Sequence, residues 1–514
     1  MSALECRSRR KVDARATGME GHVSAETEYD LLLKNVRLVR PKASGTPKAD
    51  IGVRQGRIAA VADALPPGSA RTVLDGRGRL AFPGAVDAHM HTGIYAPLAD
   101  DALTESRAAA QGGVTTSLNY FRSGQYYLNR GGPYAQLFPR VLALSEGRFY
   151  VDYAYHLAPI DSSQVAEMEQ LVGDFGVTSF KIFMFYGGYG LHGASGQQRE
   201  FLMIGEDENY DLAHFEFVMR GAQRAMARFP DRRDEISVSL HCETAEILNA
   251  YTKLVARDKT LSGLRAYSAA RPPHSEGLAV CIAAYLAHET ECININLLHL
   301  SSRKALEAAL AMAGAFPHID FRREVTIGHL MLDYDSAAGA LAKVNPPIRS
   351  REDVEFLWQG LLGGQLDWVC SDHACCRHEM KVPAGKDADI FLAKSGFGGT
   401  EYLLPALISA GTRRGLSLNR IAELSSLNPA RRFGLRAKGD LAVGMDADIA
   451  LVDPARSWVV RAADSLSGQG YTPFEGIELG AAVTTTVLRG EVIYDEGRIV
   501  GAPRGRYLHR PYSG

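Results

Sequence analysis

The sequence lacks any long uninterrupted apolar run. No stretch of its 514 residues approaches the roughly 18 apolar residues that a membrane-spanning helix needs. Its first thirty residues also lack the apolar core of a secretory signal peptide. These absences argue against a transmembrane or secreted protein, so we expect a soluble cytoplasmic protein with no membrane partner.

An excess of one charge is missing as well. The chain carries 57 Lys and Arg residues against 59 Asp and Glu residues, a net charge of −2. This balance does not indicate a nucleic-acid partner. Cysteine is scarce: the chain has only seven cysteines, which are scattered and form no CxxC pair. Neither a disulfide framework nor a cysteine-based zinc finger fits this pattern.

The sequence does contain enough chain for several domains. Its length is about three times the ~150 residues typical of one domain, and 46% of its residues are apolar. Residues 1–28 are polar and show no periodicity, which predicts a disordered leader.

Both ends of the remaining chain have the pattern of short strands. The segments YDLLLKNVRLV, DIGVRQGRIAAVA and RTVLDGRGRLAFPG near the start have counterparts in ADIALVDP, SWVVRAA and AVTTTVLRGEVIYDEGRIVG near the end. This arrangement predicts one small β-sandwich domain assembled from residues 29–82 and 440–514. The final segment, RGRYLHRPYSG, is rich in aromatic residues and arginines. We interpret it as a tail that covers a neighbouring subunit, with a poorly ordered terminus as the alternative.

The middle of the chain, residues 83–439, alternates between two patterns. Segments with helical spacing of apolar residues, such as DLAHFEFVMRGAQRAMARF, lie between short β-branched runs. The runs are AFPGAVDAHMH, GVTTSLNYF, RFYVDYAYHLA, GVTSFKIFMFY, EISVSLHCE, CININLLHLSS, EVTIGHLML and LDWVCSDHA. Eight such strands with helical crossovers predict an α/β fold, a (β/α)8 TIM-like barrel. The alternative is a doubly wound open sheet, but no Gly-rich dinucleotide loop supports it.

Two histidines end the first predicted barrel strand, in the sequence Asp87-Ala88-His89-Met90-His91. Alternate strand residues point to the same side, so His89 and His91 can share one metal ion. An HxH pattern alone is weak evidence. Its position at the C-terminal end of a barrel strand strengthens it, because barrel enzymes build their active sites on that face.

Further polar residues lie in or at the ends of other predicted barrel strands: Lys181, His241, His299 and Asp372. Each has a structural interpretation, since a lone histidine is often a hydrogen-bonded core residue and an aspartate before a loop often caps a helix. Together, however, they converge on one face of one barrel. Imidazole and carboxylate are the ligand types that borderline and hard metals require.

Lys181 is the most informative of these residues. It lies between Phe180 and Ile182 in an apolar run, and its nearest acidic neighbours in the sequence are Asp174 and Glu200. Burial of an unpaired ammonium group is costly and lowers a lysine pKa towards that of a neutral amine. A neutral amine can capture CO2 as a carbamate, which could bridge two cations. A distant salt bridge or snorkelling to the barrel rim is the structural alternative.

At this point the motifs carry a family resemblance. They are FPGAVDAHMHTG, SFKIFMFY, HCETAE, LLHLSS, NPPIRS, CSDHACC, GFGGTEYLLPAL and LNPARRFGL…KGDLAVGMDADIALVDP. In this order they resemble the dihydropyrimidinase/D-hydantoinase branch of the amidohydrolase superfamily, over nearly the whole chain from Tyr29 to about Arg510. The resemblance implies a cytoplasmic homotetramer and a zinc-dependent hydrolase that opens the cyclic amide bond of hydantoin, dihydropyrimidine or related imide rings. The products would be N-carbamoyl amino acids or equivalent acids.

The resemblance also implies a set of site residues. Two Zn²⁺ ions per chain would be bridged by carboxylated Lys181 and a hydroxide. One ion would be held by His89, His91 and Asp372, and the other by His241 and His299. Asp372 would act as the proton shuttle, and Tyr186 would support the developing oxyanion.

Departures from the family pattern concern the substrate. Asn345 stands where hydantoinases usually have Ser before Pro-Pro, and Ser395 stands where they have Asn. By the resemblance, Tyr186, Asn345 and Ser395 bind the small cyclic amide substrate. Thr92 and Gly93 follow the HxH pattern without the arginine that dihydroorotases use, which argues against that activity. An allantoinase-like enzyme and a non-enzymatic scaffold of the same family remain alternatives.

Overall fold

The computed structural model describes residues 28–187, 197–258, 260–382 and 389–514. The predicted disordered leader, residues 1–28, lies outside the described part except for Glu28. Five strands come first. They are β1 (Tyr29–Leu38), β2 (Lys48–Arg54), β3 (Arg57–Ala62), β4 (Ala70–Asp75) and β5 (Leu80–Pro83).

Eight parallel strands then form one sheet in sequential order. They are β6 (Ala85–Met90), β7 (Val114–Arg122), β8 (Asp152–Ala158), β9 (Ser179–Phe183), β10 (Ser237–His241), β11 (Asn294–Leu297), β12 (Asp320–Thr326) and β13 (Trp368–Cys370). Their apolar runs suit strands that are covered on both faces. The sheet curls until its ends meet, because Met90 bridges to His373 and the backbone N–H of His91 donates to the carbonyl of His373. The predicted (β/α)8 barrel is therefore confirmed.

Helices connect and follow the barrel strands. The α-helices of the described residues span Leu98–Gln111, Tyr134–Ser145, Ser162–Ala166, Met168–Phe175, Gln198–Leu202, Leu212–Arg228, Ala245–Val255, Gly263–Ala270, Pro273–Glu289, Arg303–Ala315, Ile327–Met331, Arg351–Leu362, His378–Lys381, Leu403–Arg413, Leu418–Ala422 and Asn428–Arg432. The predicted helical segment around DLAHFEFVMRG is one of them. It begins after Asp211, whose side chain accepts hydrogen bonds from the first backbone N–H groups.

The closing strands complete a β-rich second domain. They are β14 (Ile449–Asp453), β15 (Trp458–Val459), β16 (Glu478–Leu479), β17 (Ala482–Leu488), β18 (Glu491–Asp495) and β19 (Arg498–Ile499). Nine strands from both parts of the chain share one sheet, in which β14 pairs antiparallel with β5 and β17. The long strand β1 pairs with β2 on one side and with β4 and then β5 on the other. The predicted assembly of a small β domain from both ends of the chain is confirmed.

One predicted strand is partly wrong. The run EVTIGHLML contributes only its first three residues to β12, and the strand begins earlier, at Asp320. From Ile327 to Met331 the chain is helical, because the Thr326 hydroxyl accepts a hydrogen bond from the backbone N–H of His329 and caps the helix. The local hydrogen bond of Thr326 therefore overrides the β-branched pattern.

A cluster of buried charges joins the barrel to the β domain at the end where β8 begins. The junction cluster consists of Asp152, Lys438, Asp446, Asp448 and Arg489. The Lys438 ammonium lies 2.9, 3.0 and 2.6 Å from carboxylate oxygens of Asp152, Asp446 and Asp448, respectively. The Arg489 guanidinium also pairs with Asp152. These ion pairs fix the relative position of the barrel and the β domain.

The tail packs against its own barrel at the same end. Arg510 is fully buried, and its guanidinium donates hydrogen bonds to the Ser179 hydroxyl and the Tyr155 carbonyl. The Tyr507 hydroxyl donates to the carbonyl of Phe175. Our interpretation that this segment covers a neighbouring subunit is therefore wrong for these side chains, which close the floor of the barrel in the same chain.

Candidate active site

The nine predicted site residues all lie at the C-terminal end of the barrel. His89 is in β6 and His91 directly follows it, while Lys181 lies in β9 and His241 ends β10. His299 and Asp372 each come two residues after a strand, β11 and β13. A cavity in this face is lined by His91, Ile94, Tyr127, Lys181, Phe183, Phe185, Tyr186, His241, His299, Val344, Asn345, Asp372, Ala374, Ser395 and Gly396. His89, which is fully buried, does not line it.

Asp372 stands between the two histidines of the HxH pattern. Its Oδ1 atom lies 3.2 Å from Nε2 of His89 and 3.2 Å from Nε2 of His91. Ligand atoms of His89, His299 and Asp372 all lie within 4.8 Å of one another. The rings of His241 and His299 are also adjacent, with centroids 4.3 Å apart. The four imidazoles and the carboxylate thus converge around one small volume.

The outer nitrogens of these histidines are held by partners that we did not predict. His89 Nδ1 lies 2.7 Å from Glu324, His91 Nδ1 lies 2.8 Å from the Tyr127 hydroxyl, and His241 Nε2 lies 2.7 Å from Glu243. Such partners fix the ring orientation and leave the other nitrogen directed at the centre. A signal for two of them was present in the sequence, since Glu324 interrupts a buried strand and Glu243 follows His241 by two residues.

Each of the two glutamates is in turn bonded to other groups. Glu324 accepts hydrogen bonds from the backbone N–H of His299 and from the Trp368 indole, at 3.0 and 2.9 Å. Glu243 accepts hydrogen bonds from two guanidinium nitrogens of Arg271, Nε and Nη2. Burial opposes ionisation of Glu243, but Arg271 and His241 lower its pKa to about 2. It therefore remains a carboxylate that can orient His241.

Lys181 is fully buried, and its Nζ atom has no hydrogen-bond partner among the described residues. It lies 4.4 Å from the ring centre of Tyr120 and 4.8 Å from that of Phe183. Burial lowers the pKa of Lys181 to about 8, against the opposing charges of Glu324 and Asp372. Part of the population is therefore a neutral amine near neutral pH.

Two other buried site atoms, His89 Nε2 and His299 Nδ1, also lack a hydrogen-bond partner in the described part of the chain. Buried polar groups are normally paired, so unpaired atoms around one centre need an explanation. Burial lowers the pKa of both His89 and His299 well below the usual value, which keeps the rings neutral. Neutral imidazoles together with a carboxylate are the form that binds a metal ion. The donor set therefore fits a metal site.

The backbone at this site is strained. Asp372 has φ 55° and His299 has φ 34°, left-handed conformations that are uncommon for residues other than glycine. Asp372 is held there through its neighbours, because Ser371 donates from its backbone N–H and its hydroxyl to Asp87. On the other side, His373 Nε2 lies 2.7 Å from Glu105. Strain of this kind is typical of functional positions.

The remaining predicted residues form a second wall of the cavity. The Arg122 Nε–H donates to the Tyr186 hydroxyl at 3.4 Å. Burial raises the pKa of Tyr186, and Arg122 offsets this only partly, so the hydroxyl keeps its proton. Asn345 Oδ1 accepts hydrogen bonds from the Tyr267 hydroxyl and from the Ser395 hydroxyl. This wall therefore presents uncharged polar groups beside aromatic rings.

Comparison with known proteins identifies the family. A model described as the amidohydrolase family matches residues 231–493. An allantoinase from Rubrobacter xylanophilus is 34% identical and covers 93% of this chain and 97% of its own length. A D-hydantoinase from Ralstonia pickettii is 29% identical, over 94% and 99% of the two chains. The crystal structure of a dihydropyrimidinase from Brevibacillus agri aligns with a TM-score of 0.79 at 25% identity, and covers 93% of this chain and 98% of its own.

The chain belongs to the amidohydrolase family, in the branch that contains dihydropyrimidinases and D-hydantoinases. It is a cyclic amidohydrolase, as the motif resemblance implied. No helix in the described part of the chain is both long and apolar enough to cross a membrane.

Proposed function

We propose that this protein is a metal-dependent hydrolase that opens the cyclic amide bond of hydantoin, dihydropyrimidine or related imide rings. One observation carries the proposal. A buried lysine amine, which has no hydrogen-bond partner among the described residues, lies in a barrel face where four histidines and Asp372 converge. Nothing in an ordinary structural core requires that combination, whereas a bridged pair of metal ions does.

The residues fit two zinc ions in the following way. His89, His91 and Asp372 would hold one ion, His241 and His299 the other. The Lys181 amine would add to CO2 and release one proton. The resulting carbamate anion would serve as the bridging ligand, as a carboxylate side chain could. When bound, the ions would lower the pKa of a water molecule and polarise a carbonyl group.

Asp372 and Tyr186 would carry out the remaining chemistry. The Asp372 carboxylate would take the proton of the attacking water and deliver it to the leaving ring nitrogen. Burial opposes its ionisation, but His89 and His91 lower the pKa of Asp372, so it starts as the base. The Tyr186 hydroxyl would donate a hydrogen bond to the oxygen on which negative charge develops. Asn345 and Ser395 would position the ring.

The cavity walls favour an uncharged ring. Apart from Lys181, no lysine or arginine lines the cavity among the described residues. The aromatic rings of Phe183, Phe185 and Tyr186 would instead contact an apolar ring substituent. A carboxylate-bearing ring such as dihydroorotate would find no guanidinium partner among the described lining residues. Allantoin is the second candidate, because an allantoinase is 34% identical to the chain.

Metal analysis and a substrate comparison test this proposal. The purified protein should contain close to two zinc ions per chain, and it should open 5-substituted hydantoins or dihydrouracil at least tenfold faster than allantoin in kcat/KM. The opposite ranking would replace the hydantoinase-type activity with an allantoinase-type one. A carefully prepared sample without metal and without ring opening, also after zinc is added back, would favour the non-enzymatic scaffold.

Assembly as a homotetramer in the cytoplasm is part of the same proposal and is supported only by the family resemblance. Sedimentation equilibrium of the full chain measures it directly. We expect a species of four subunits, and a monomer at micromolar concentration would contradict it.

A further inference from the structure

Tyr127 occupies an unusual position between the predicted metal site and the cavity. It follows β7 in a short loop where Tyr126, Tyr127 and Asn129 all have left-handed backbones, with φ 68°, 51° and 51°. Three such residues within four positions are strained, and strain of this kind is kept where surrounding structure enforces it. The Tyr127 side chain lines the cavity, and its hydroxyl lies 2.8 Å from His91 Nδ1.

The direction of this hydrogen bond follows from the opposite side of the imidazole ring. His91 Nε2 faces Asp372 at 3.2 Å and is the nitrogen that would bind metal, so it cannot also carry a proton. Nδ1 must then carry the proton and donate it to the Tyr127 oxygen. The Tyr127 O–H is therefore left to donate elsewhere, and no second partner for it exists among the described residues.

Histidine ligands of metals usually donate their other N–H to a carboxylate, a backbone carbonyl or water, and His89 follows that rule with Glu324. Carboxylates and carbonyls are acceptors only. A phenol differs because it accepts one hydrogen bond and still has a proton to give. Among the described residues no other acceptor lies at the Tyr127 hydroxyl, whose side chain lines the space where a substrate would lie.

We propose that Tyr127 is a second substrate-contacting hydroxyl, which accepts the proton of His91 Nδ1 and donates its own to a carbonyl oxygen of the ring. This inference rests on the proposed function. A cyclic imide or ureide carries two carbonyl groups, and the cavity then offers two phenol donors, Tyr127 and Tyr186. Arg122 lies beneath both, with its guanidinium 5.8 Å from the ring centre of Tyr127 and 5.3 Å from that of Tyr186.

The test separates metal binding from substrate binding in Tyr127→Phe. Zinc affinity is measured first by competition with a chromogenic chelator, and we expect it to fall about 10- to 100-fold, as for other partners of ligand histidines. At saturating zinc, kcat/KM for a hydantoin should still be lower by roughly tenfold or more, the effect of one hydrogen bond to a developing charge. A return to within about twofold of the parent at saturating zinc would overturn the proposal.

Tyr126→Phe is the matched control. It removes a hydroxyl from the same strained loop, but Tyr126 does not line the cavity, and its ring packs on Tyr95 and Phe201. We expect its zinc affinity and kcat/KM to stay within about twofold of the parent. An equal loss in both variants would mean that the loop is merely perturbed, and would count against the proposal.

A measurement on the parent protein needs no variant. With zinc bound and histidines labelled with ¹⁵N, NMR should show His91 protonated at Nδ1 and not at Nε2. Protonation at Nε2 would make Tyr127 the donor to His91 and remove the free proton on which the proposal depends. If the parent binds no zinc and opens no ring, the proposed function itself has failed, which is a distinct result.

Discussion

Two buried lysines, one at each end of the barrel, differ in the partners that surround their ammonium groups. At the junction cluster, Lys438 contacts three carboxylates, and none of the buried side-chain polar atoms of that cluster lacks a partner. At the catalytic end, Lys181 is equally buried and has no hydrogen-bond partner among the described residues.

The pKa values respond in opposite directions. Burial would lower the pKa of Lys438, but Asp152, Asp448 and Asp446 raise it well above the usual value. Burial lowers the pKa of Lys181 to about 8, because Glu324 and Asp372 oppose it only partly. Lys438 is therefore a permanent cation that stabilises a junction, whereas Lys181 can become a neutral, reactive amine.

The comparison also distinguishes two groups of acidic and histidine side chains that each resemble a metal site. Asp152, Asp446 and Asp448 lie close enough together to hold a cation, as do His89, His299 and Asp372. In the first group the ammonium of Lys438 already supplies the positive charge. In the second group His89 Nε2 and His299 Nδ1 have no hydrogen-bond partner among the described residues, and that difference indicates which group is suited to bind a metal ion.

The largest effect is expected from Lys181→Met. The substitution removes the bridging group, so two zinc ions would repel each other across the site, and we expect kcat/KM to fall by roughly 10³-fold or more because metal contributes several kcal/mol. Short carboxylic acids added to the assay should restore part of the rate. Retention of full zinc content and near-normal turnover without additives would show that Lys181 has only a structural role.

Asp372→Asn should follow in size. The amide keeps the shape of the side chain but cannot move a proton, and general acid–base help is worth about 10²- to 10⁴-fold. We expect kcat to fall by that range or beyond, with zinc content measured in parallel. A variant that holds two ions and turns over within tenfold of the parent would exclude Asp372 as the proton shuttle. His373 is a poor substitute, since Nε2 bonds Glu105 and Nδ1 accepts from two backbone N–H groups.

Lys438→Met makes the identical substitution in the junction cluster. Removal of one partner leaves buried carboxylates uncompensated, so the free energy of unfolding should fall by about 3–5 kcal/mol in urea titration. Activity per folded molecule should remain within about twofold of the parent.

In metal-free protein, by contrast, Lys181→Met should leave the free energy of unfolding unchanged or slightly higher, because it removes an unpaired polar group. Similar stability losses in both variants would contradict the claim that Lys438 stabilises the fold whereas Lys181 does not.

The smallest effect concerns pH. Burial lowers the pKa of His241 to about 4, although Glu243 opposes this, so the unfolded chain binds the proton first as the pH falls below 6.5. Stability of the metal-free protein should therefore fall by about 2 kcal/mol from His241 alone between pH 7 and pH 5. Lys438 affects stability at alkaline pH instead. Because its pKa is raised in the folded state, its stabilising effect is fully present below pH 10.5 and is lost as the pH rises through the pKa of the folded state. His241→Gln should flatten only the acid slope, and an unchanged slope would contradict the assignment.

Much of this architecture could be predicted from sequence because it depends on short, local patterns. The buried parallel strands are continuous apolar runs, and the polar residues that end them converge through the geometry of any barrel. His89 and His91 share a face through strand alternation alone. Lys181 stood out because its sequence neighbours are apolar and uncharged.

Other features depend on contacts between residues far apart in the sequence. Glu324 orients His89 from β12, 235 residues further along the chain, and the sequence does not indicate that these two residues pair. Tyr127 contacts His91 from a loop with a left-handed backbone, which the sequence did not indicate. The helix from Ile327 was missed for a different reason, since its first turn is capped by the Thr326 hydroxyl, which accepts a hydrogen bond from the backbone N–H of His329.

The position of Arg510 has a consequence for how the polypeptide is made. Its partners, the Ser179 hydroxyl and the Tyr155 carbonyl, lie in barrel strands that leave the ribosome long before Arg510 does. Until then these groups must remain hydrated or find temporary partners. The barrel can thus assemble its walls during translation, but its floor closes only after residue 510 has emerged.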